Sequence, residues 1–202
     1  MEQINISIEI GRHFLHECCY DLAVNALTKV IEADPGNALA HDLRGMAYGY
    51  MNEYEKSIQD FSRAIEIDRN FAGAYNNRGL SFYKLSQFDA AIADYNRAIE
   101  ISPGIAVFYS NRGLAFFYQD KFYQSIKDFN KAIDLDPLNS ETNIYRGEAY
   151  VGIGDYENAI IDFDIALLIN PSNITVYADL IWAAKLRENI GESYGNGIFS
   201  QM

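Results

Sequence analysis

The 202-residue sequence predicts an all-α fold, a solenoid of helix–turn–helix repeats closed by a capping helix, and three observations carry that prediction. Several independent residue series return with a step of 34. A fixed step of that length marks stacked repeats and is sought before any other signal. Apolar residues inside each unit recur at three and four residues, the period of a helix. Prolines punctuate the ends of the units, where a helix has to stop because proline has no N–H to donate and restricts the residue before it.

The clearest series is an Arg-Gly pair: Arg44-Gly45, Arg78-Gly79, Arg112-Gly113 and Arg146-Gly147, with Gly11 one step earlier. Pro35, Pro103, Pro137 and Pro171 keep the same step, Arg69 filling the gap. Ala23, Ser57, Ala91, Ser125 and Ala159 form a third series, and Tyr20, Tyr54, Phe88, Phe122 and Tyr156 a fourth. In the third unit Tyr75, Gly79 and Phe82 mark one helical face, and Ala91, Tyr95 and Ala98 a second, with a break at Ser86-Gln87.

In chain order, the register predicts helix pairs over residues 4–17 and 20–33, 38–51 and 54–67, 72–85 and 88–101, 106–119 and 122–135, and 140–153 and 156–169. The repeats then span about 4–37, 38–71, 72–105, 106–139 and 140–173, one array within residues 1–188. In the first unit Ile4, Ile6, Ile8 and Ile10 alternate as in a strand, but the repeat register overrides that local preference and predicts helix. Gly79 and Ala91 are expected where two helix backbones approach, with Phe82, Phe88 and Tyr95 filling the space around them. A lone pair cannot bury its apolar faces, so stability must come from stacking on neighbours. Residues 174–188 continue the register as a capping helix, with Ile181 in the glycine position and Asp179, Lys185, Arg187 and Glu188 giving a polar surface. Residues 189–202 hold three glycines and no periodicity, which predicts a flexible tail.

This spacing resembles the tetratricopeptide repeat: an aromatic, then Leu-Gly, then Tyr, later Ala, Phe and Pro. Tyr75, Gly79, Phe82, Ala91, Tyr95, Ala98 and Pro103 fit best, followed by Tyr109, Gly113, Phe116, Phe129, Ala132 and Pro137. The first unit departs most, with Ser7 in the aromatic place. The resemblance implies a right-handed α-solenoid whose first helices line a concave groove that receives a peptide or a partner helix. By register that groove would be lined by Leu39, Asp42, Leu43, Met46 and Tyr50, then Asn76, Asn77, Leu80, Tyr83 and Lys84. Val107, Ser110, Asn111, Leu114, Phe117 and Tyr118 follow, then Ile144, Tyr145 and Glu148. Amides can bind a guest backbone and aromatics supply contact area, which suits peptide capture; the competing reading is that these side chains pack on one another. Asn77 and Asn111 resemble the start of an asparagine ladder that Leu43 and Tyr145 interrupt. The paired lysines and asparagines of the family's carboxylate-clamping arrays are missing, Lys84 being the one inward lysine, so capture of acidic chaperone tails is not expected.

A second surface lies on the outer face of the second helices. Gln59, Arg63 and Glu66, then Ala93, Arg97 and Glu100, then Lys127, Lys131 and Asp134 occupy it, but the fifth unit has Ile161, Ile165 and Leu168 there. An apolar stripe facing water predicts an interface. It would serve a homodimer or another partner, receive Ile198 and Phe199 of the tail, or stay an exposed patch. The leading expectation is thus an interaction module binding a partner protein, as adaptor, chaperone or assembly scaffold, with a structural, self-associating protein as the alternative.

Composition narrows the rest. A formal net charge of −12, from 28 acidic and 16 basic side chains, disfavours nucleic acid and anionic membranes and favours protein partners, basic ones among them. Residues 1–11 carry no signal-like pattern and no run of about 18 apolar residues occurs, so a cytoplasmic protein is expected. His13, His16, Glu17, Cys18 and Cys19 are the one cluster of ligand types, but they lack the spacing of a zinc site, and nothing depresses the pKa of a nucleophile there. No phosphate loop occurs, and Asp60, Asp94, Asp128 and Asp162 read as solvated second-helix faces. The expectation is no enzyme, no cofactor and no metal.

Overall fold

The computed structural model describes residues 2–199, with the side chains of residues 4 and 6–188, and the described residues form helices without a strand. Five hairpins follow one another: α1 (Glu2–His16) with α2 (Tyr20–Ala33), α3 (Ala38–Tyr50) with α4 (Tyr54–Ile67), and α5 (Ala72–Lys84) with α6 (Phe88–Ile101). Then come α7 (Ala106–Phe117) with α8 (Phe122–Leu135) and α9 (Ser140–Gly152) with α10 (Tyr156–Ile169), followed by α11 (Ile174–Phe199). The Ile-rich first segment is helical, as the register requires. The second helices start and stop where the sequence places them. The first helices end one or two residues early because Cys18, Asn52, Ser86 and Asp120 take left-handed backbone angles, φ between 56° and 61°, and Gly154 does so at 79°. One such residue per repeat turns the chain sharply enough to start the next helix.

Two compact units emerge, Met1–Pro103 with α1–α6 and Gly104–Met202 with α7–α11, where the sequence predicts one array over 1–188. The division falls at the Pro103 turn. Within each unit every helix packs on its neighbour in sequence. In the first unit Ile8, Leu27, Val30 and Leu43 close one core and Ala64, Ile65 and Ala74 another. In the second, Ala159, Phe163, Ala166, Val176 and Ala183 join α10 to α11.

From the second repeat on, the repeated glycines face rings rather than helix backbones, which corrects the sequence reading. A Cβ added at Gly79 would lie 2.7 Å from the Tyr95 ring, and one at Gly113 or Gly147 equally close to Phe129 or Phe163. Each of those rings is fully buried, so the missing methyl is the space the aromatic occupies.

A larger correction concerns the second-helix aspartates. Asp60, Asp94, Asp128 and Asp162 are not solvated; they are 1–6% exposed. Each accepts two hydrogen bonds from the arginine 16 residues earlier: Arg44, Arg78, Arg112 and Arg146 donate through Nε and Nη2 at 2.6–2.8 Å. These fork-shaped pairs are the strong kind of charge-assisted hydrogen bond. Arg44, Arg78 and Arg146 also reach back to the preceding repeat, donating Nη1 to Thr28, Ser62 and Asn130. The arginine therefore ties its own hairpin together and fastens it to the one before. Hydrogen bonding to Asp60 and Asp94 lifts the Arg44 and Arg78 guanidinium pKa above the ordinary value.

The last helix departs from expectation in two ways. It continues through Phe199 instead of giving way to a tail after residue 188. Asp179 is not part of a wholly polar outer surface, for it is only half exposed, whereas Lys185, Arg187 and Glu188 are exposed as expected. Ile181 stands open at 55% exposure, with no second helix to displace it. The docking of Ile198 and Phe199, and a tail at 200–202, fall outside the described side chains and residues.

Candidate functional site

Helices α3 and α5 present the first unit's candidate surface. Met46, Tyr50, Asn77, Leu80 and Lys84, five of the residues selected by register, border one cavity of about 290 Å³ with Ser81. Tyr50 is 56% exposed and stacks on Tyr20 at 5.1 Å between ring centroids, so its ring is held upright beside the opening. Lys84 is exposed, its Nζ 5.9 Å from the centre of the Tyr83 ring. Ser57 and Ser81 share a buried hydroxyl–hydroxyl hydrogen bond of 3.0 Å in the cavity wall.

The amides are ordered by a short chain of hydrogen bonds. Asn76 donates to Asn77 Oδ1 at 3.3 Å, and Asn77 Nδ2 donates to Asp42 Oδ1 at 3.1 Å. Asp42 is 6% exposed, and burial pushes its carboxyl pKa up to about 6 against the opposing pull of the Asn77 hydrogen bond. The ladder begun at Asn77 thus runs to Asp42, not to the Leu43 position. Leu43 is 7% exposed and packs in the core, with Leu39 beside it, so the register overstates what it offers a guest. Tyr83 is half-buried with its ring 5.8 Å from Phe88, facing its own hairpin.

In the second unit α7, α9 and α11 carry the corresponding face. Tyr118 is 54% and Val107 49% exposed; Asn111, Leu114, Phe117 and Tyr145 are half-buried. Phe117 meets Tyr118 and Phe122 edge-on, both at 5.6 Å. Tyr145 stacks on Phe129 at 6.2 Å, and burial, with the fields of Glu141 and Glu148, raises its phenol pKa. Ser110 and Thr142 share a hydrogen bond of 3.1 Å that links α7 to α9, and Ile144 packs toward the α10–α11 core.

A cleft of about 340 Å³ opens beside Phe117 and Glu148, bordered also by Phe122, Gly152, Asp179 and Trp182. Sequence reasoning placed Asp179 on a polar outer surface and passed over Trp182, so it missed both as part of this cleft. The signal was available: they lie 34 residues after Tyr145 and Glu148, in the same register positions. Treating the last helix only as a cap hid them.

On α10, Ile161 is 53% and Leu168 81% exposed, with Ile165 half-buried between them. The equivalent places on α4 and α6 carry the exposed ion pairs Arg63–Glu66 and Arg97–Glu100. Cys18 and Cys19 are free and exposed in the α1–α2 turn. Among the described residues no three His, Cys, Asp or Glu side chains gather as a metal set, and no helix is long and apolar enough to cross a membrane.

Comparison with known proteins agrees with this architecture. The family described as Tetratricopeptide repeat matches residues 72–104, 106–139 and 144–173, and a further TPR repeat matches 45–86. No curated protein matches the chain in sequence. Among solved structures, the MamA protein is 25% identical with a TM-score of 0.74, over 86% of this chain and 95% of that one. PilF of Pseudomonas aeruginosa is 21% identical with a TM-score of 0.83, over 98% and 90%. YrrB, a TPR protein with an unusual peptide-binding site, is 19% identical with a TM-score of 0.71, over 85% and 89%. Repeats of this kind mark a protein–protein interaction scaffold, a fold that is typically non-catalytic. With an all-α hairpin stack, four matched repeat segments and neighbours of the same architecture, the chain belongs to the tetratricopeptide repeat family.

Proposed function

We propose that the protein captures an extended peptide or a helix of a partner protein on its first-helix faces and serves as an adaptor, chaperone or assembly scaffold rather than as an enzyme. The observation that carries this reading is the cavity between α3 and α5, where an exposed Tyr50, an exposed Leu80, the Asn77 amide and the Lys84 ammonium meet. Core packing does not need these groups exposed. An apolar opening with a few placed polar groups is the usual form of a recognition site. Peptide amides would meet Asn77, and apolar side chains would enter beside Met46 and Leu80.

Affinity capture from the source cell with wild-type protein and an Asn77→Ala/Tyr118→Ala variant tests this. The variant should fold, by circular dichroism, yet retain the partner more than about tenfold less well, the scale of losing central contact residues. Retention of every partner by the variant sinks the reading.

A second reading rests on the exposed Ile161 and Leu168: the chain pairs with a second copy through α10. Under it the wild-type protein has a dimer mass in solution and Leu168→Lys has a monomer mass. A monomer mass for both disposes of it.

A further inference from the structure

The second unit's cleft has a composition that the first unit's cavity lacks. Its walls are aromatic, from Phe117, Phe122, Phe163 and Trp182, and two carboxylates, Glu148 and Asp179, border the same space. Gly152 lets the Phe122 ring seat close against α9 as one wall, since a Cβ there would lie 2.8 Å from that ring. Trp182 is 54% exposed, a large indole face left to solvent beside two acids.

Neither acid is engaged: among the described residues no side chain forms a hydrogen bond or ion pair with Glu148 or Asp179. The nearest arginine in sequence, Arg146, is committed to Asp162 and Asn130. Burial raises the proton affinity of both carboxyls, and the Asp179 field raises that of Glu148 further. Two like charges are thus held together in a partly desolvated cleft, with π-faces around them and no counter-charge.

We infer that this cleft receives one cationic side chain, a lysine or arginine, from a bound protein partner, its charge set against Glu148 and Asp179 and its stem or guanidinium plane against Trp182 and Phe117. A guest cation relieves the repulsion between the acids and gains the attraction of the rings at once, which an apolar or acidic side chain cannot do. A hard metal ion fits poorly, because two carboxylates among hydrocarbon rings do not supply the six or more oxygen ligands such ions take. Because this inference rests on the peptide-capture reading, it narrows the partner to one that presents a basic residue, in keeping with the chain's net charge of −12.

Trp182 is the one tryptophan in the sequence, so its emission reports on this cleft alone. The full chain would be titrated with four acetylated, amidated heptapeptides, Gly-Ser-Ala-X-Ala-Ser-Gly, in which X is arginine, lysine, citrulline or glutamate. The arginine and lysine peptides should change the Trp182 emission saturably, and the citrulline peptide, equal in shape but uncharged, should bind about tenfold more weakly or not at all. A Glu148→Gln/Asp179→Asn variant, which keeps the volumes, should lose the difference between arginine and citrulline. Equal binding of arginine and citrulline, a preference that survives in that variant, or no response to any peptide overturns the inference. Retention of cellular partners by the chain stands or falls separately, on the Asn77→Ala/Tyr118→Ala capture experiment.

Discussion

Replacing Arg78 with methionine is expected to lower the free energy of unfolding by about 3 kcal/mol, read as a shift in the urea midpoint with the slope unchanged. The methionine keeps most of the aliphatic stem but removes both hydrogen bonds to Asp94, leaving a carboxylate whose side chain is 8% exposed without its partner. It also cuts the link to Ser62 in the preceding hairpin. The figure stands at the low end for a broken buried pair because the arginine side chain keeps 21% exposure and is partly screened by water. The double variant Arg78→Met/Asp94→Leu is expected to recover most of the loss, since apolar replacement of both members removes the stranded charge. If the single variant is as stable as the wild type, the pairs are ornaments of the surface and not part of what holds the repeats together.

The Asp42→Asn variant should be more stable than the wild type at pH 7.5 by about 3 kcal/mol and equal to it near pH 3. Asp42 has a folded-state pKa of about 6 against an ordinary value of 3.8, so between these values the folded chain holds a proton that the unfolded chain has released. Stability from this group is therefore present at low pH and is lost as pH rises from about 4 to about 6. The difference corresponds to about 3 kcal/mol, and the opposing pull of the Asn77 hydrogen bond is already contained in that folded-state value. Glu148 and Asp179 shift in the same direction, so the variant should keep a shallower slope of the same sign. Urea melts of both proteins at several pH values check this. A variant no more stable than the wild type at pH 7.5 would mean that the buried carboxylate is solvated better than its 6% exposure implies.

The fold was legible because its signals are local and repeated. Gly45, Gly79, Gly113 and Gly147 each face a ring on the following helix, and Gly11 faces Leu27 in the same way, so the step between repeats is written into packing that leaves no room for a larger residue. The strand-like alternation of Ile4 to Ile10 did not mislead, because the register outweighed it, and α1 covers Leu27 and Val30 of α2. The aspartates misled for a different reason. Asp94 has the spacing of a residue facing water, and only the three-dimensional pairing with Arg78, 16 residues earlier, shows that it is buried. Helix periodicity tells which residues share a face, but not whether a neighbouring helix supplies a counter-charge to bury one.

For the candidate site, the register found Tyr50, Asn77, Leu80 and Lys84 at one opening but could not tell Leu43, which the core buries, from Met46, which packs on the core and still borders the opening. That distinction depends on where α1 lies against α3. Asp179 and Trp182 were in the register too, and were passed over because α11 was taken to end the array rather than to complete a face of it.

The arginine clasp also constrains how a chain of this kind can change length. Arg78 reaches Ser62 in one direction and Asp94 in the other, each 16 residues away, and Arg44 and Arg146 repeat the arrangement with their own partners. Duplicating or deleting one whole period of 34 residues returns every guanidinium to a carboxylate and a polar neighbour, whereas an insertion of any other size inside a hairpin strands at least one of them. Growth and loss in such a lineage should therefore proceed in whole modules, because the turn inside a hairpin and the corner between hairpins each lie within one arm of a clasp.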